Sequence, residues 1–125
     1  MNPLSQIGCA LPIVQAPMAG VQDARLALAV GLAGGLGSLP AAMLEAAALE
    51  EELQQLDRRL GRRYNLNFFA HALPVPDAER EAAWRQLLAP YYAEYAAEPP
   101  TGATGLQRQP FSAEAATLVE KYRPA

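Results

Sequence analysis

The stretch of sequence that decides the fold runs from residue 43 to residue 69 and reads MLEAAALEEELQQLDRRLGRRYNLNFF. Its first part repeats leucine at intervals of four, three and four residues, which predicts an amphipathic helix over 43–60 with one apolar face: Leu49, Leu53, Leu56 and Leu60. Its second part, residues 64–69, alternates with period two and predicts a strand. A helix followed closely by a strand is the repeating unit of an α/β fold.

The segment before this stretch predicts the same alternation. Residues 11–15 (LPIVQ) form a short apolar run that indicates a strand, with Pro12 tolerated only at its first position. Asp23 is a suitable cap for a helix over 24–33, and that helix is apolar nearly all round, so we expect it to be packed on several sides. Gly34 and Gly35 end this helix, and residues 36–39 predict a second short strand before Pro40.

The segment after residue 69 predicts two more helices. Asp77 caps the first, which we expect to bury an apolar stripe: Trp84, Leu87, Leu88, Tyr91 and Tyr95. Pro90 should kink or split this helix, because its ring clashes with a carbonyl of the preceding turn. Residues 98–110 indicate a loop, and Ser112 caps a last helix. Alternating strands and helices predict a parallel sheet with right-handed crossovers. A fourth strand should follow the last helix, so the strand–helix alternation stops before it is complete.

Composition excludes several classes of protein. The chain has 125 residues, 51% hydrophobic and 18% charged, which suits one folded domain and argues against disorder. A net charge of -3 indicates neither a nucleic-acid-binding nor a membrane-binding surface, and no apolar stretch is long enough to span a bilayer. Cys9 is the single cysteine and cannot form an internal disulfide, so we expect a structural thiol in a reducing, cytoplasmic compartment.

Ligands of parallel α/β folds bind at the carboxyl ends of the strands, and three loops follow such ends: 16–22, 40–43 and 69–76. In the first loop, small residues beside Pro17 would let the backbone approach a flat ligand, with Met18 as a soft contact, although an ordinary turn has the same composition. On the third strand, Asn65 and Asn67 lie on the face opposite Leu66. Their amides would bind either a ligand or a neighbouring strand.

Other chemistry-bearing residues give weaker signals. The glycines over 31–37 follow a helix and lack the spacing of a dinucleotide-binding motif, so they indicate a helix end and a tight turn. His71 is the only histidine and has no partner for a metal site, so it lies either at the rim of a site or in solvent. The acidic run Glu50, Glu51 and Glu52 is typical of a solvated helix face.

Three segments together resemble the nitronate monooxygenase family, also called 2-nitropropane dioxygenases. They are PIVQAPMAG at 12–20, AGGLGSLP at 33–40 and NLNFF at 65–69, in the same order and spacing as in the family. The resemblance covers nearly the whole chain and about the first third of the family's length. It implies the first three to four βα units of a flavin-binding TIM barrel, with a helical insertion over about 77–110, incomplete in this chain.

The resemblance also implies a function: an FMN-dependent enzyme that oxidises alkyl nitronates with O₂. Pro17, Met18 and Ala19 would lie against the flavin, and Asn67 matches the family's flavin-binding asparagine. Asn65 and His71 have no secure counterpart. The catalytic histidine belongs to a segment that would lie beyond residue 125, and the family's phosphate-binding loops would lie there too.

Two alternatives stay open at this point. The first is a flavin-dependent enoyl-thioester reductase with the same barrel, and the second is a non-catalytic remnant. Three strands leave sheet edges open and cannot close a barrel interior, so the isolated chain should be inactive and prone to self-association.

Overall fold

The computed structural model describes residues 2–73, 75, 77–100 and 110–125. Within them lie two strands, β1 (Gly37–Pro40) and β2 (Tyr64–Asn67), and four α-helices: α1 (Ala24–Leu32), α2 (Ala46–Leu60), α3 (Ala78–Glu94) and α4 (Ala113–Tyr122). Short 3₁₀ helices span Pro3–Ile7 and Ala41–Met43. The four predicted helices and the second and third predicted strands are observed in the predicted order, but the first predicted strand, over 11–15, is not formed as a strand. Helix α2 begins at Ala46 because a 3₁₀ turn occupies Ala41–Met43, and β2 ends at Asn67 rather than at residue 69.

The sheet is parallel, as predicted. β1 pairs with β2 in a register that joins Gly37 to Tyr64 and Pro40 to Asn67. On the other side of β1, the predicted strand over 11–15 is reduced to a single parallel bridge between Val14 and Leu36. Leu36 N–H donates to Ile13 O at 2.8 Å and Gln15 N–H donates to Leu36 O at 2.9 Å. Towards the amino end, Leu11 N–H donates to Gly34 O at 2.8 Å, but no further bridge forms between these two described segments.

The core forms between the sheet and the leucine face of α2. All four leucines of the predicted face are buried: Leu49, Leu53, Leu56 and Leu60. Tyr64 is fully buried beside them, and Leu66 and Phe68 pack on the same cluster, which confirms the predicted facing of β2. Leu118 of α4 completes the cluster.

Helix α1 buries only one side in this chain. Its cap is as predicted, since the Asp23 carboxylate accepts from Arg25 N–H at 2.9 Å. Ala24, Ala27 and Gly31 are buried, whereas Leu32 is exposed. The expectation that α1 is packed on several sides is therefore wrong. Only β1 and α2 contact it closely among the described elements, and they cover one face.

Two glycine positions after and beside α1 have clear structural reasons. Gly34 has a φ of +100°, and the amides of Gly34 and Gly35 bond to the carbonyls of Gly31 and Val30, which is a Schellman helix end, as expected. At Gly37, a Cβ would lie 2.1 Å from the carbonyl oxygen of Ala27. Glycine at this position is what lets α1 lie directly against β1.

The described residues within 72–107 form a compact unit of their own, distinct from the unit formed by the described residues within 1–71 and 108–125. Asp77 caps α3 as predicted, accepting from Glu79 N–H and Arg80 N–H. The helix is continuous through Pro90, so of the two predicted effects of this proline the split does not occur, and a kink stays a prediction. No residue of α3 is buried, so its apolar stripe is not core. This unit contains no second described helix or strand that could cover the stripe.

Helix α4 lies against α2. Ser112 caps it, and Leu118 is its buried residue. Lys121 Nζ donates to Glu50 of α2 at 2.5 Å, and this bond lowers the pKa of the Glu50 carboxyl. Beyond α4, the backbone N–H of Ala125 donates to Tyr64 O at 3.1 Å, so the last described residue lies at the amino end of β2.

Candidate functional site

The candidate site lies at the carboxyl edge of the parallel strands. β1 lies between the Val14 segment and β2, so loop 16–22 and the end of β2 flank the same strand. Asn67 is the last residue of β2 and is exposed, opposite Pro40 in the register. This arrangement brings the first predicted loop and Asn67 to one edge of the sheet, as expected for a parallel fold.

A cluster of polar side chains ties loop 16–22 to this edge, and we call it the amide clamp: Gln15, Gln22, Ser38 and Asn65. Gln15 Oε1 accepts from Ser38 N–H at 2.9 Å, and Gln22 Nε2 donates to Ser38 O at 2.7 Å. The two glutamine side chains also meet, since Gln15 Nε2 donates to Gln22 Oε1 at 2.9 Å. The clamp therefore joins both ends of the loop to the middle of β1.

Asn65 belongs to the clamp rather than to the open edge. Its Nδ2 donates to Ser38 Oγ at 3.1 Å, and Ser38 is fully buried. Of the two possibilities for Asn65, binding to a neighbouring strand is the one observed. Asn67 differs because no described hydrogen bond occupies its side-chain amide, and the residue is exposed. The two asparagines therefore have different surroundings although they share a face.

The loop itself exposes its candidate residues. Met18 is 44% exposed, Ala19 is exposed and Pro17 is half-buried. The loop turns at Gly20, which has a φ of +82°, and Val21 N–H donates to Met18 O at 3.3 Å. Pro17, Met18 and Ala19 thus form a small, accessible surface that carries no charge.

An open groove of about 780 Å³ lies beside Met18. Its walls come from the loop, from the start of α1 and from the turn after β1: Met18, Gly20, Val21, Gln22, Asp23, Arg25, Leu26, Pro40, Met43 and Leu44. In its wall, Arg25 Nε pairs with the Asp23 carboxylate at 2.8 Å. The Arg25 backbone N–H is the main cause that lowers the pKa of Asp23.

The remaining sequence candidates lie elsewhere. His71 is exposed, and its ring lies 6.0 Å from that of Phe69, edge to face. Cys9 is buried and its Sγ donates to Gly35 O at 3.6 Å, which confirms the structural interpretation. The acidic run of α2 is not simply solvated, because Glu52 Oε2 accepts from Ala24 N–H at 2.6 Å and Glu50 pairs with Lys121. That expectation is wrong for two of its three residues.

Comparison with known proteins decides the family. A family model described as nitronate monooxygenase matches residues 2–109. The chain belongs to the nitronate monooxygenase family. This confirms the resemblance carried by the three sequence segments.

Curated relatives agree with this assignment. A nitronate monooxygenase of Paraburkholderia phytofirmans is 39% identical over 97 residues, which cover 78% of this chain and 26% of that protein. A nitronate monooxygenase of Pseudomonas aeruginosa is 42% identical over 97 residues, covering 75% of this chain and 27% of that protein. The chain thus spans about a quarter of the length of these relatives.

A solved structure shows the same fold. The nitroalkane oxidase from Streptomyces ansochromogenes superposes with a TM-score of 0.65 and 33% identity. The match covers 90% of this chain and 32% of that chain. The βα units described here therefore correspond to part of a larger barrel, as the resemblance implies.

Within this family member, sequence reasoning missed the amide clamp. Gln15 and Gln22 bracket the loop seven residues apart, and Ser38 is the one polar residue in a buried run. Polar residues at both ends of a ligand-facing loop are the signal that could have indicated the clamp.

No group of three or more potential metal ligands occurs among the described residues, and none of their helices is long and apolar enough to cross a membrane. The cytoplasmic location stays a prediction.

Proposed function

We propose that this chain supplies the first βα units of an FMN-dependent nitronate monooxygenase, with Pro17, Met18, Ala19 and Asn67 lying against the flavin. The observation that carries the proposal is the shared edge: the exposed loop and the exposed amide of Asn67 flank the end of one strand, β1. Membership of the nitronate monooxygenase family supports the choice of reaction. The substrates would be alkyl nitronates and O₂.

The residues present fit a flat heteroaromatic ring. Ala19 has a small side chain and Pro17 a rigid one, so a planar ligand can approach the backbone closely. The exposed thioether of Met18 offers a polarizable contact of the kind that suits aromatic rings. Asn67 has a free amide that can donate to and accept from ring heteroatoms.

Each residue would have a distinct task. FMN, when bound, supplies the redox chemistry between the nitronate and O₂. Asn67 would orient the ring by hydrogen bonding from the end of β2, and Met18 would exclude water from one side of it. Asn65 would act indirectly, because its amide already holds Ser38.

Two other functions gain no support from a specific observation. The curated relatives described above are named nitronate monooxygenases and the solved structure a nitroalkane oxidase, none of them an enoyl-thioester reductase. A non-catalytic role is one possible outcome of the experiment below.

Self-association of the chain also stays a prediction. Its structural basis would be the apolar side chains exposed along the Val14 segment: Leu11, Ile13 and Val14.

The test uses a fusion of this chain to the portion of the Pseudomonas aeruginosa relative that follows the aligned region. We expect the folded fusion to retain FMN through gel filtration and to consume O₂ when an alkyl nitronate is added. A fusion that melts cooperatively but retains no FMN would overturn the proposal and favour the non-catalytic role.

Asn67→Ala in this fusion tests the site itself. Loss of a buried hydrogen bond to the ring costs about 1–3 kcal/mol, so FMN affinity should fall roughly five- to 150-fold. The matched control is Leu66→Ala, which faces the core instead. It should lower the free energy of unfolding by about 1–3 kcal/mol, because Leu66 is half-buried, and should leave FMN affinity nearly unchanged. The opposite pattern would mean that the facing of β2 towards the flavin is wrong.

A further inference from the structure

The side chain of Gln22 occupies a special place in the amide clamp. Its Oε1 accepts from Met18 N–H at 3.2 Å and from Gln15 Nε2 at 2.9 Å, while its Nε2 donates to Ser38 O at 2.7 Å. A single amide thus uses both of its ends. It connects the tip of the loop, the start of the loop and the buried strand β1.

Few other contacts hold the tip of the loop. Residues 18–21 are exposed, and the backbone bond from Val21 N–H to Met18 O is a long one at 3.3 Å. Gly20 adds conformational freedom in the unfolded chain. Among the described interactions, the Gln22 side chain is therefore the main link between the Met18 backbone and the sheet.

We propose that Gln22 is a positioning residue for the flavin: its amide fixes the Met18 peptide against β1, so that the loop is already in its binding conformation before the flavin arrives. This inference rests on the proposed function, since Met18 matters to FMN only if the ring lies against it. Gln15 and Ser38 hold the other end of the clamp. Order that exists before binding raises affinity, because less conformational entropy is lost when the ligand binds.

The first test needs no flavin. In the 125-residue chain, Gln22→Met keeps the length and volume of the side chain and removes its hydrogen bonds. Hydrogen exchange at the Met18 amide, measured by NMR, should become about fivefold faster, because one hydrogen bond no longer protects it. Gln55→Met, on the exposed face of α2, is the matched control and should leave Met18 exchange unchanged. Unchanged exchange in Gln22→Met would overturn the proposal.

A second variant separates the two ends of the amide. Gln22→Glu keeps oxygens that can accept from Met18 and Gln15 but cannot donate to Ser38 O. Met18 exchange should stay within about twofold of the parent value, because the acceptor that protects it is kept. This variant also keeps the proposal testable if Gln22→Met does not fold. Exchange at Met18 as fast in Gln22→Glu as in an unprotected amide would contradict the acceptor role.

The second test uses the fusion described above and reads FMN affinity together with the flavin absorption bands. Gln22→Met should weaken FMN binding about fivefold and shift the bands, since the loop beside the ring is no longer fixed. Gln55→Met should change neither. If Met18 exchange accelerates while FMN affinity and spectrum stay the same, the clamp holds the loop but does not position the flavin, and the proposal fails. If the parent fusion binds no FMN, the proposed function fails and the positioning role falls with it, whereas Met18 exchange still shows whether the clamp exists.

Discussion

At the scale of single residues, Tyr64 is the most unusual member of the core. It is fully buried in a cluster of leucines, and its hydroxyl finds no hydrogen-bond partner among the residues that the structure describes. Burial, together with the charge of Asp57 and the neighbouring Tyr122, raises the pKa of Tyr64 to about 12. A buried polar group without a hydrogen-bond partner lowers the free energy of unfolding, so this hydroxyl destabilises the fold.

Tyr64→Phe should therefore not destabilise the chain. We expect the free energy of unfolding to stay the same or to rise by about 1 kcal/mol, because the ring still fills its space and the unpaired hydroxyl is gone. Tyr95→Phe is the control, since Tyr95 is 75% exposed and its change should be close to zero. Chemical denaturation at pH 7 measures both. A clear loss of stability in Tyr64→Phe would show that the hydroxyl has a partner, such as a buried water.

The same residue predicts a dependence on alkaline pH. Unfolded tyrosine ionises near pH 10 and folded Tyr64 near pH 12, so the unfolded state releases a proton first and stability falls as pH rises. Between these values the parent should lose about 2 kcal/mol from this group alone. Tyr64→Phe should lose correspondingly less over the same range, which denaturation curves at both pH values would detect.

At the scale of elements, two contacts set the position of α1. One is the approach of the Ala27 carbonyl to Gly37, and the other is the Glu52 carboxylate of α2, which binds Ala24 N–H in the first turn of α1. Both act close to loop 16–22, which leads directly into α1. The placement of the loop therefore depends on how α1 is held.

Gly37→Ala should destabilise the chain by about 2–4 kcal/mol, because the new methyl group would collide with backbone rather than with a movable side chain. The comparison is Gly31→Ala, whose Cβ would meet Leu60 Cδ1 at 2.6 Å. Leu60 is buried and must shift within the core, but it is a side chain rather than backbone and alanine favours the helix, so a loss of about 1 kcal/mol is expected, smaller than for Gly37→Ala. Thermal melting distinguishes the two, and equal losses would mean that α1 can shift away from β1 at little cost.

Glu52→Ala should lower the free energy of unfolding by about 1–2 kcal/mol, because a backbone N–H at the start of α1 loses its charged acceptor. Glu51→Ala changes an exposed neighbour on the same helix and should lie within about 0.5 kcal/mol of the parent. Denaturant titration of the pair provides the measurement. Similar values for both variants would show that water replaces Glu52 at Ala24.

The elements also show which features a single sequence reveals. Local signals gave the leucine face of α2, the alternation of β2 and the helix caps Asp23, Asp77 and Ser112, because each depends on residues only a few positions apart. Contacts between distant segments leave no such period: Glu52 looks like one acid in a charged run, and Gln22 looks like an ordinary loop residue. The exposure of α1 and α3 escaped prediction because an apolar stripe indicates that a face can be buried, not which element covers it.

At the scale of the whole molecule, the four candidate flavin contacts account for only part of a cofactor site. These contacts are all uncharged: Pro17, Met18, Ala19 and Asn67. They can contact the flavin ring but supply no positive charge for its phosphate. The chain also spans about a quarter of the length of its relatives. A nitronate monooxygenase site assembled from these contacts alone would lack the strongest hydrogen bonds to the ligand.

The 125-residue chain should therefore bind FMN much more weakly than the fusion does. Missing charge-assisted hydrogen bonds at about 1.5–3 kcal/mol each should cost at least tenfold in affinity for each bond. Fluorescence titration of FMN against both proteins at equal concentration measures the difference, with riboflavin as the matched ligand that lacks the phosphate. The chain should bind both ligands with similar affinity, whereas tighter binding of FMN than of riboflavin would reveal a phosphate contact within these residues.

The hydrogen bond from Ala125 to Tyr64 has a practical consequence. It holds the last residue at the amino end of β2, whereas Asn67 and loop 16–22 lie at the carboxyl end. A dye, an affinity tag or a surface tether joined to Ala125 would therefore be attached near the edge of the sheet opposite the candidate site. A protein immobilised through that residue would keep the site facing the solution, so flavin uptake could be recorded on a sensor surface without the linker blocking access.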